Sequence, residues 1–434
     1  METHFFQKWL TSYSAKMIVV AVMALVLLIP TFWIQEIIDE RISLKQQVEN
    51  ELKQQWSDMQ QVSGPVLNIP VSTLKGSNEN EKLTAAVAHF LPELVQMDVE
   101  IIPDIRYRGI YKIPVYESQV RITGSFKAID LAKLESETHS TRPDEAYFSL
   151  GISDLRGIKD SVRLKVNQLE SNIEPGIPDN DLFKSGITFR SDAIDLSQDI
   201  DFEIKFNLKG SSCFAVEALG KTTKVSMNST WADPGFYGAF LPEKREINSD
   251  GFTASWVVTH LNRNFPQQWI GKKYNTSDSS LGVSLVLPVD HYQKAMRSVK
   301  YAILFIALNF IVFLFIEIRN RKRIHPVQYA LVAFALLLFY TLLTALSEHV
   351  GFNSSFVISA IAIISLVSWY AFHILGSMKK ALWISALQAG LYLFLFTILQ
   401  LQQYALLMGS IGLFVILALI MKASQKINWY NEEE

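Results

Sequence analysis

Ile324-His325-Pro326-Val327-Gln328-Tyr329 opens a stretch that runs on through Leu338-Phe339-Tyr340. It closes with Leu346-Ser347-Glu348-His349-Val350-Gly351-Phe352. From Pro326 to Leu346 it carries no charge, and it is long enough to cross a bilayer as a helix. Arg319, Arg321, Lys322 and Arg323 precede it, and Glu348 and His349 follow it. Short loops rich in Lys and Arg stay in the cytoplasm, so the basic cluster marks the inner end and the Glu-His pair the outer end. The orientation of this helix fixes the reading of every other segment.

Working outward, Phe352 to Ile374 reads as a further span, and Tyr301 to Ile316 as the span before it, with Glu317 at its inner end. Ala381 to Met421 has no charge and is too long for one crossing. The polar break Gln400-Leu401-Gln402-Gln403-Tyr404 divides it in two. At the start, Met17 to Gln35 is apolar after Lys8 and Lys16. It ends in Pro30-Thr31-Phe32-Trp33-Ile34, bulky throughout, which fits an uncleaved anchor better than a signal peptide with a small-x-small cleavage site. The expectation is six transmembrane helices, one N-terminal and five C-terminal, with both termini cytoplasmic. The basic residues agree: Lys379, Lys380, Lys422 and Lys426 fall on the cytoplasmic side, and the loops Ser347 to Ser355 and Gln400 to Tyr404 hold no Lys or Arg.

The middle of the chain is built for water. Net charge over the 434 residues is −2, with nearly all charge between Gln35 and Lys300. No domain-wide basic excess exists to neutralise phosphates, so nucleic acid is excluded as a partner. Glu36 to Val62 places Ile38, Ile42, Val48, Leu52, Trp56, Met59 and Val62 at mostly helical spacing. This predicts a stalk of roughly 40 Å, ended by Gly64-Pro65. Its irregular apolar stripe suits packing on the external domain better than a coiled-coil seam. Asp201 to Leu208 alternates, with Phe202, Ile204, Phe206 and Leu208 on one face. Gln119 to Phe126, Lys221 to Met227 and Phe252 to Val258 read similarly. These predict a large antiparallel β domain. The fold class is therefore an α+β membrane protein with a β-rich periplasmic domain inserted between the first and second spans. The divisions are 1–35 (tail and first span), 36–63 (stalk), 64–298 (periplasmic domain, with a subdomain break near 174–181), 299–421 (five spans) and 422–434 (cytoplasmic tail). The lone Cys213 allows no intrachain disulfide, so a domain of roughly 260 residues must hold by its core.

Several residues are candidates for chemistry. Glu348 and His349 place a carboxylate beside an imidazole, a pair able to relay protons or bind a metal. Neighbours on a helix point about 100° apart, and no HExxH spacing is present, so the competing reading is that both anchor the external domain on the helices. His325 and His373 sit at helix ends, where interfacial polar residues belong. Gly409-Ser410-Ile411-Gly412 suits close helix packing. Arg108 and Asp154-Leu155-Arg156-Gly157 combine charge with a turn glycine: an Arg there holds a phosphate or carboxylate ligand, or pairs with a carboxylate of the fold. Arg263, within Asn262-Arg263-Asn264-Phe265, meets lipid headgroups or closes the β domain. No Walker A run, dinucleotide loop, nucleophile elbow or CxxC occurs, so no cofactor or metal is expected.

His325-Pro326-Val327-Gln328-Tyr329 and Leu346 to Phe352 resemble the signature of the CreD family. The likeness covers nearly the whole chain. It includes Arg108-Gly109-Ile110-Tyr111, Ser153-Asp154-Leu155-Arg156-Gly157, Leu219-Gly220-Lys221-Thr222-Thr223, Gly238-Ala239-Phe240-Leu241-Pro242, Gly251 to Trp256, His260-Leu261-Asn262-Arg263-Asn264, Leu287 to Lys294, Met408 to Phe414 and Asn428-Trp429-Tyr430. On that resemblance Gln328 and Tyr329 join Glu348, His349 and His325 as candidate functional residues. Gln402-Gln403 departs from the acidic residue the family pattern leads one to expect there. The resemblance implies an inner-membrane protein of the bacterial envelope stress response, tied to envelope integrity and colicin tolerance, and supplies no catalytic residue. Three functions follow as expectations. The first is non-enzymatic binding of an envelope protein or a lipid or cell-wall ligand through the periplasmic domain. The second is an enzyme using Glu348 and His349 or Arg108. The third is a transporter, which the scarcity of ionisable residues in the spans disfavours.

Overall fold

The computed structural model describes residues 13–75, 82–137, 140–167, 169–170, 172–190, 195–285, 291–320, 324–401 and 404–425. The chain packs as two units, residues 1–45 with 289–434, and residues 46–288. The basic residues Lys8, Arg321, Lys322, Arg323 and Lys426, the pair Gln402-Gln403, Leu287 to Asp290 and Asn428-Trp429-Tyr430 lie outside the described residues.

The described residues open with helices Tyr13–Val26 (α1) and Leu28–Trp56 (α2), and a short helix, Leu131–Glu137 (α3), lies within the β unit. The remaining helices are His291–Lys300 (α4), Ala302–Asn320 (α5), Pro326–Val350 (α6), Phe352–Leu375 (α7), Met378–Gln400 (α8) and Ala405–Ser424 (α9). Among the described residues five helical runs are long and apolar enough to cross a membrane, or six if the pair α4 and α5, bent by 44°, is one span. The two halves of that pair differ in character. α4 buries Tyr292, Ala295, Ser298 and Val299 and exposes Gln293, Arg297 and Lys300, whereas α5 is apolar for most of its length. One-sided burial suits an interface and all-round apolarity suits lipid, so the helix breaks where its surroundings change. α4 therefore packs with the helical unit, although the sequence reading placed it in the β domain.

Aromatic rings fill the helical core. Phe339 contacts Tyr392 at 4.6 Å and Phe356 at 5.2 Å between ring centres, and Phe305 meets Tyr392 at 5.4 Å. A polar pair is set among them: buried Gln388 donates to Asn309 Oδ1 at 2.9 Å, and Asn309 donates to the Phe305 carbonyl at 2.8 Å. Between α8 and α9 the Phe394 ring occupies the space a Cβ at Gly412 would need, while Gly409 faces open space. One of the two glycines in the small-residue motif is thus a packing site.

The β unit is a sandwich of two mixed sheets. The first orders its strands Pro234–Gly238, Ser280–Leu285, Cys213–Glu217, Gln60–Lys75, Tyr147–Ile152, Gly186–Arg190 and Asn172–Pro175. Lys82–Phe90, which carries His89, and Ser140–Thr141 also pair with Gln60–Lys75, and Gln268–Ile270 pairs with Lys82–Phe90. The second runs Lys244–Asn248, Gly251–Thr259, Thr222–Ser229, Leu94–Arg108, Tyr111–Phe126, Ile200–Ser211, Arg163–Val166 and Leu169–Glu170. All four strands read from alternation lie in this second sheet. Phe202, Ile204, Phe206 and Leu208 point into the core, and Phe126 against Phe148 at 5.3 Å joins the two sheets.

Three expectations change. The strands are not all antiparallel: Gln60–Ser63 runs parallel to Phe214–Glu217, and Leu94–Ile101 parallel to Thr222–Ser229. The helix read as a stalk to residue 63 ends at Trp56, because Gln60 to Ser63 is taken into the first sheet. The region 174–181 is no subdomain break; it joins two paired strands, with Glu174 opposite Thr188.

With both sheets and the large core they share inside it, the segment 46–288 should fold alone and melt cooperatively in urea. Within it Phe206→Ala, at a side chain 4% exposed, should cost about 3–5 kcal/mol. A loss below about 1 kcal/mol would contradict a shared core built on this strand.

Candidate functional site

Glu348 and His349 lie in the last turn of α6 and diverge as the helical angle requires. Glu348 is turned inward, with its side chain 12% exposed, and His349 faces out. The Tyr292 hydroxyl donates to Glu348 Oε1 at 2.9 Å, and Arg41 Nε lies 3.7 Å from the same oxygen. These partners belong to α4 and α2 within the helical unit, not to the β domain as the anchoring reading expected. The reason is that α2 keeps company with the helices as far as Lys45. Lys294 of α4 extends the cluster, donating to Gln400 Oε1 at 3.1 Å and lying over the Phe352 ring at 5.3 Å. Gln400 donates in turn to Asn353 Oδ1 at 2.6 Å. One amphipathic helix thereby gathers the ends of α6 and α8 and the start of α7.

At the other end of α6, His325 and Gln328 form a capping box. His325 Nδ1 accepts from Val327 N–H at 3.3 Å, and Gln328 Oε1 accepts from His325 N–H at 3.0 Å. The Tyr329 hydroxyl donates to Glu317 Oε2 at 2.8 Å, and Ile324 N–H donates to Glu317 Oε1 at 3.0 Å. Glu317 is 3% exposed. The sequence showed it only as a carboxylate closing a span. A buried carboxyl needs hydrogen-bond partners, and Tyr329 is one of them.

In the β unit Asp154 and Arg156 sit where α2 gives way to the first sheet. Asp154 accepts from Arg156 Nε at 2.9 Å and Nη2 at 2.8 Å, from Ser57 Oγ at 3.0 Å and from Asp58 N–H at 3.1 Å. Arg156 Nη1 donates to the Gln54 carbonyl at 2.7 Å, near the end of α2. Gln60, 0% exposed, lies within donating distance of Ser57 Oγ (2.7 Å), the Asp154 carbonyl (3.0 Å) and the Lys209 carbonyl (2.9 Å). A Cβ at Gly157 would collide with the Gln60 side chain and that Lys209 carbonyl, which explains the glycine. The Arg156 guanidinium holds the Asp154 carboxyl well below the usual carboxylate range.

Arg108 pairs with Glu51 of α2 at 2.7 Å, beside the turn made by Gly109 at φ +61°. Trp56 lies between Arg106 at 4.8 Å and Lys209 at 4.7 Å. Arg263 stacks over Phe265 at 4.4 Å and donates to Gln267. Its Nε and Nη1 have no partner among the described residues, and burial pushes its pKa down to about 10.

Two buried groups escaped the sequence reading. Glu217, 6% exposed, accepts from Gln61 and from Thr276 Oγ1 at 3.1 Å, and burial pushes its pKa up. His89, 0% exposed, has Nδ1 2.8 Å from Asn68 Oδ1 and Nε2 3.4 Å from Asp181 Oδ2. Tyr147 donates to Asp179 Oδ2 at 2.6 Å beside it. His89, Asp179 and Asp181 come from segments ninety residues apart in sequence, so no local spacing could reveal them.

The folded-state pKa of Asp154 is depressed, so its contribution is complete above the unfolded value of about 3.9 and is lost as pH falls through the folded one. Asp154→Asn should cost about 1–3 kcal/mol at neutral pH in urea melts. The gap from wild type should shrink below about pH 4. A gap unchanged at acid pH would mean that the carboxylate is not what stabilises this junction.

The sequence profile described as "Inner membrane protein CreD" matches residues 12–430. The inner membrane protein CreD of Escherichia coli (strain K12) is 30% identical over 438 aligned residues, which cover 94% of this chain and 91% of that protein. With a match over nearly the whole length and helices apolar enough to span a bilayer, the chain belongs to the CreD family of inner-membrane proteins.

Proposed function

We propose that this protein supports bacterial envelope integrity under stress, colicin tolerance included, as a non-enzymatic binding protein. In this reading residues 46–288 lie in the periplasm and bind an envelope protein or a lipid or cell-wall ligand, and the helices hold them at the membrane. The observation that carries it is how the candidate residues are used. Within the helical unit Glu348 and Tyr329 clamp one helix to another and His325 with Gln328 caps α6, and within the β unit Arg108, Asp154 and Arg156 hold the end of α2. Arg263 differs, because two of its donor nitrogens are unpartnered beside an aromatic cluster. That is the kind of group that takes an anionic atom of a ligand. His349 faces away from Glu348, so the enzyme reading built on that pair has no geometry in its favour.

The topology proposed with it has six spans, counting α4 and α5 together, and both termini cytoplasmic. In a variant with Cys213 replaced by Ser, single cysteines at Ser354 and Ser377 should label from opposite sides of intact cells. Labelling of both from outside would rule the six-span arrangement out.

Glu348→Gln keeps an acceptor for Tyr292 and should retain envelope protection at near wild-type protein level. Glu348→Leu leaves the Tyr292 hydroxyl and Arg41 without that partner, a loss of about 1–3 kcal/mol, and should lower the amount of protein in the membrane. A Gln variant that is stable and correctly inserted but gives no protection against detergent or colicin would overturn the structural role of Glu348.

A further inference from the structure

The tautomer of His89 is set by its neighbours. Asn68 Nδ2 lies 3.2 Å from the Val66 carbonyl and 2.8 Å from Ser149 Oγ. A carbonyl oxygen can only accept, so the amide NH2 must face it, and Asn68 Oδ1 must face the imidazole. His89 Nδ1 therefore carries the proton and donates to Asn68. In the neutral imidazole this leaves the lone pair of Nε2 directed at Asp181 Oδ2, 3.4 Å away, itself an acceptor. Two acceptors face each other, and no hydrogen on the described residues is donated between them. The side chain that presents this lone pair is 0% exposed.

A carboxylate completes the arrangement. One donor atom each from His89, Asp179 and Asp181 lie within 4.8 Å of one another. In a tetrahedral site with bonds of about 2.0–2.1 Å, neighbouring donors stand about 3.3–3.4 Å apart, which matches the His89–Asp181 separation. The outer contacts are those that hold metal ligands in place. Asn68 fixes the ring through Nδ1–H, the Tyr147 hydroxyl donates to Asp179 Oδ2 at 2.6 Å, and Asp181 N–H donates to Asp179 Oδ1 at 2.9 Å. The Trp269 ring closes one side at 5.7 Å from His89.

We propose that His89, Asp179 and Asp181 bind a divalent transition-metal ion, with Zn2+ the best match to one imidazole and two carboxylates. Three protein ligands leave a coordination position for water or for an anionic group of a ligand. Ca2+ is a poor match, because it takes six to eight oxygen ligands and not an imidazole nitrogen. The two carboxylates come from the connection between strands Asn172–Pro175 and Gly186–Arg190, so bound metal ties that connection to the strand carrying His89.

The test is calorimetric titration of the untagged full-length protein in detergent, stripped of metal with a chelator. Wild type should take up one Zn2+ per chain and give no saturable heat with Ca2+. Asp181→Asn should weaken Zn2+ binding at least tenfold with its melting curve otherwise unchanged, because its side chain is 25% exposed and removes no core contact. Asn68→Ala, which frees the ring, should weaken it by about tenfold to a hundredfold. Wild type without a Zn2+ isotherm would overturn the proposal, as would Zn2+ binding that is unchanged in Asp181→Asn. Should His89→Gln fail to fold, Asp179→Asn and Asp181→Asn, at partly exposed side chains, decide the question.

Discussion

The hydrogen bonds around Gln60 are the constraint on which the β unit depends. A helix must end and a central sheet strand must begin within four residues, Trp56 to Gln60, and the side chains of Ser57 and Gln60 are buried there. The last carbonyls of a helix have no partner of their own. Arg156 supplies one for Gln54, Asp154 collects Ser57 and Asp58, and the buried amide of Gln60 reaches three acceptors at once. Leaving the buried amide of Gln60 unsatisfied would cost about 1–3 kcal/mol. Once the junction is closed, Gln60–Lys75 runs on as the strand that pairs with four others, and both flanks of the first sheet take their register from it.

The helical unit solves the same problem in a different solvent. A carboxylate is held at each end of α6, where Glu317 meets Tyr329 and Glu348 meets Tyr292. Between them the core is aromatic, with the Asn309–Gln388 amide pair set inside it. Neutral amides can be buried among apolar side chains at far lower cost than ions, and here they join α5 to α8. At the two ends of α6 the candidate residues His325, Gln328, Tyr329 and Glu348 form caps and clamps.

Much of the architecture was legible because solvent writes it into the residues. Uncharged runs marked the helices, and strict alternation at Asp201 to Leu208 marked a strand whose register in the second sheet follows that alternation. What was not legible depended on long-range pairing. Gln60 to Ser63 continued an apolar spacing suited to helix, and only its parallel partner, Phe214 to Glu217, makes it a strand. The Gly and Pro near residue 175 signalled a turn correctly, but a turn inside one sheet and a break between subdomains look alike in sequence. Asp154 and Arg156 stood out as charges beside a glycine, with pairing at a turn one of the two readings; they do pair, and the long-range part, their hold on the end of α2, was not legible. His89, Asp179 and Asp181 were passed over, because their association exists only after the first sheet has formed.

The central claim is that the β unit carries the biological activity and the helices display it. Exchange of the helical unit tests this directly: residues 46–288 are exported to the periplasm on an unrelated single-span anchor in cells lacking the native protein. The account expects the chimaera, once shown to be folded and exported, to restore tolerance of detergent and colicin. A folded, exported chimaera that restores nothing would contradict it and move the activity into the helices.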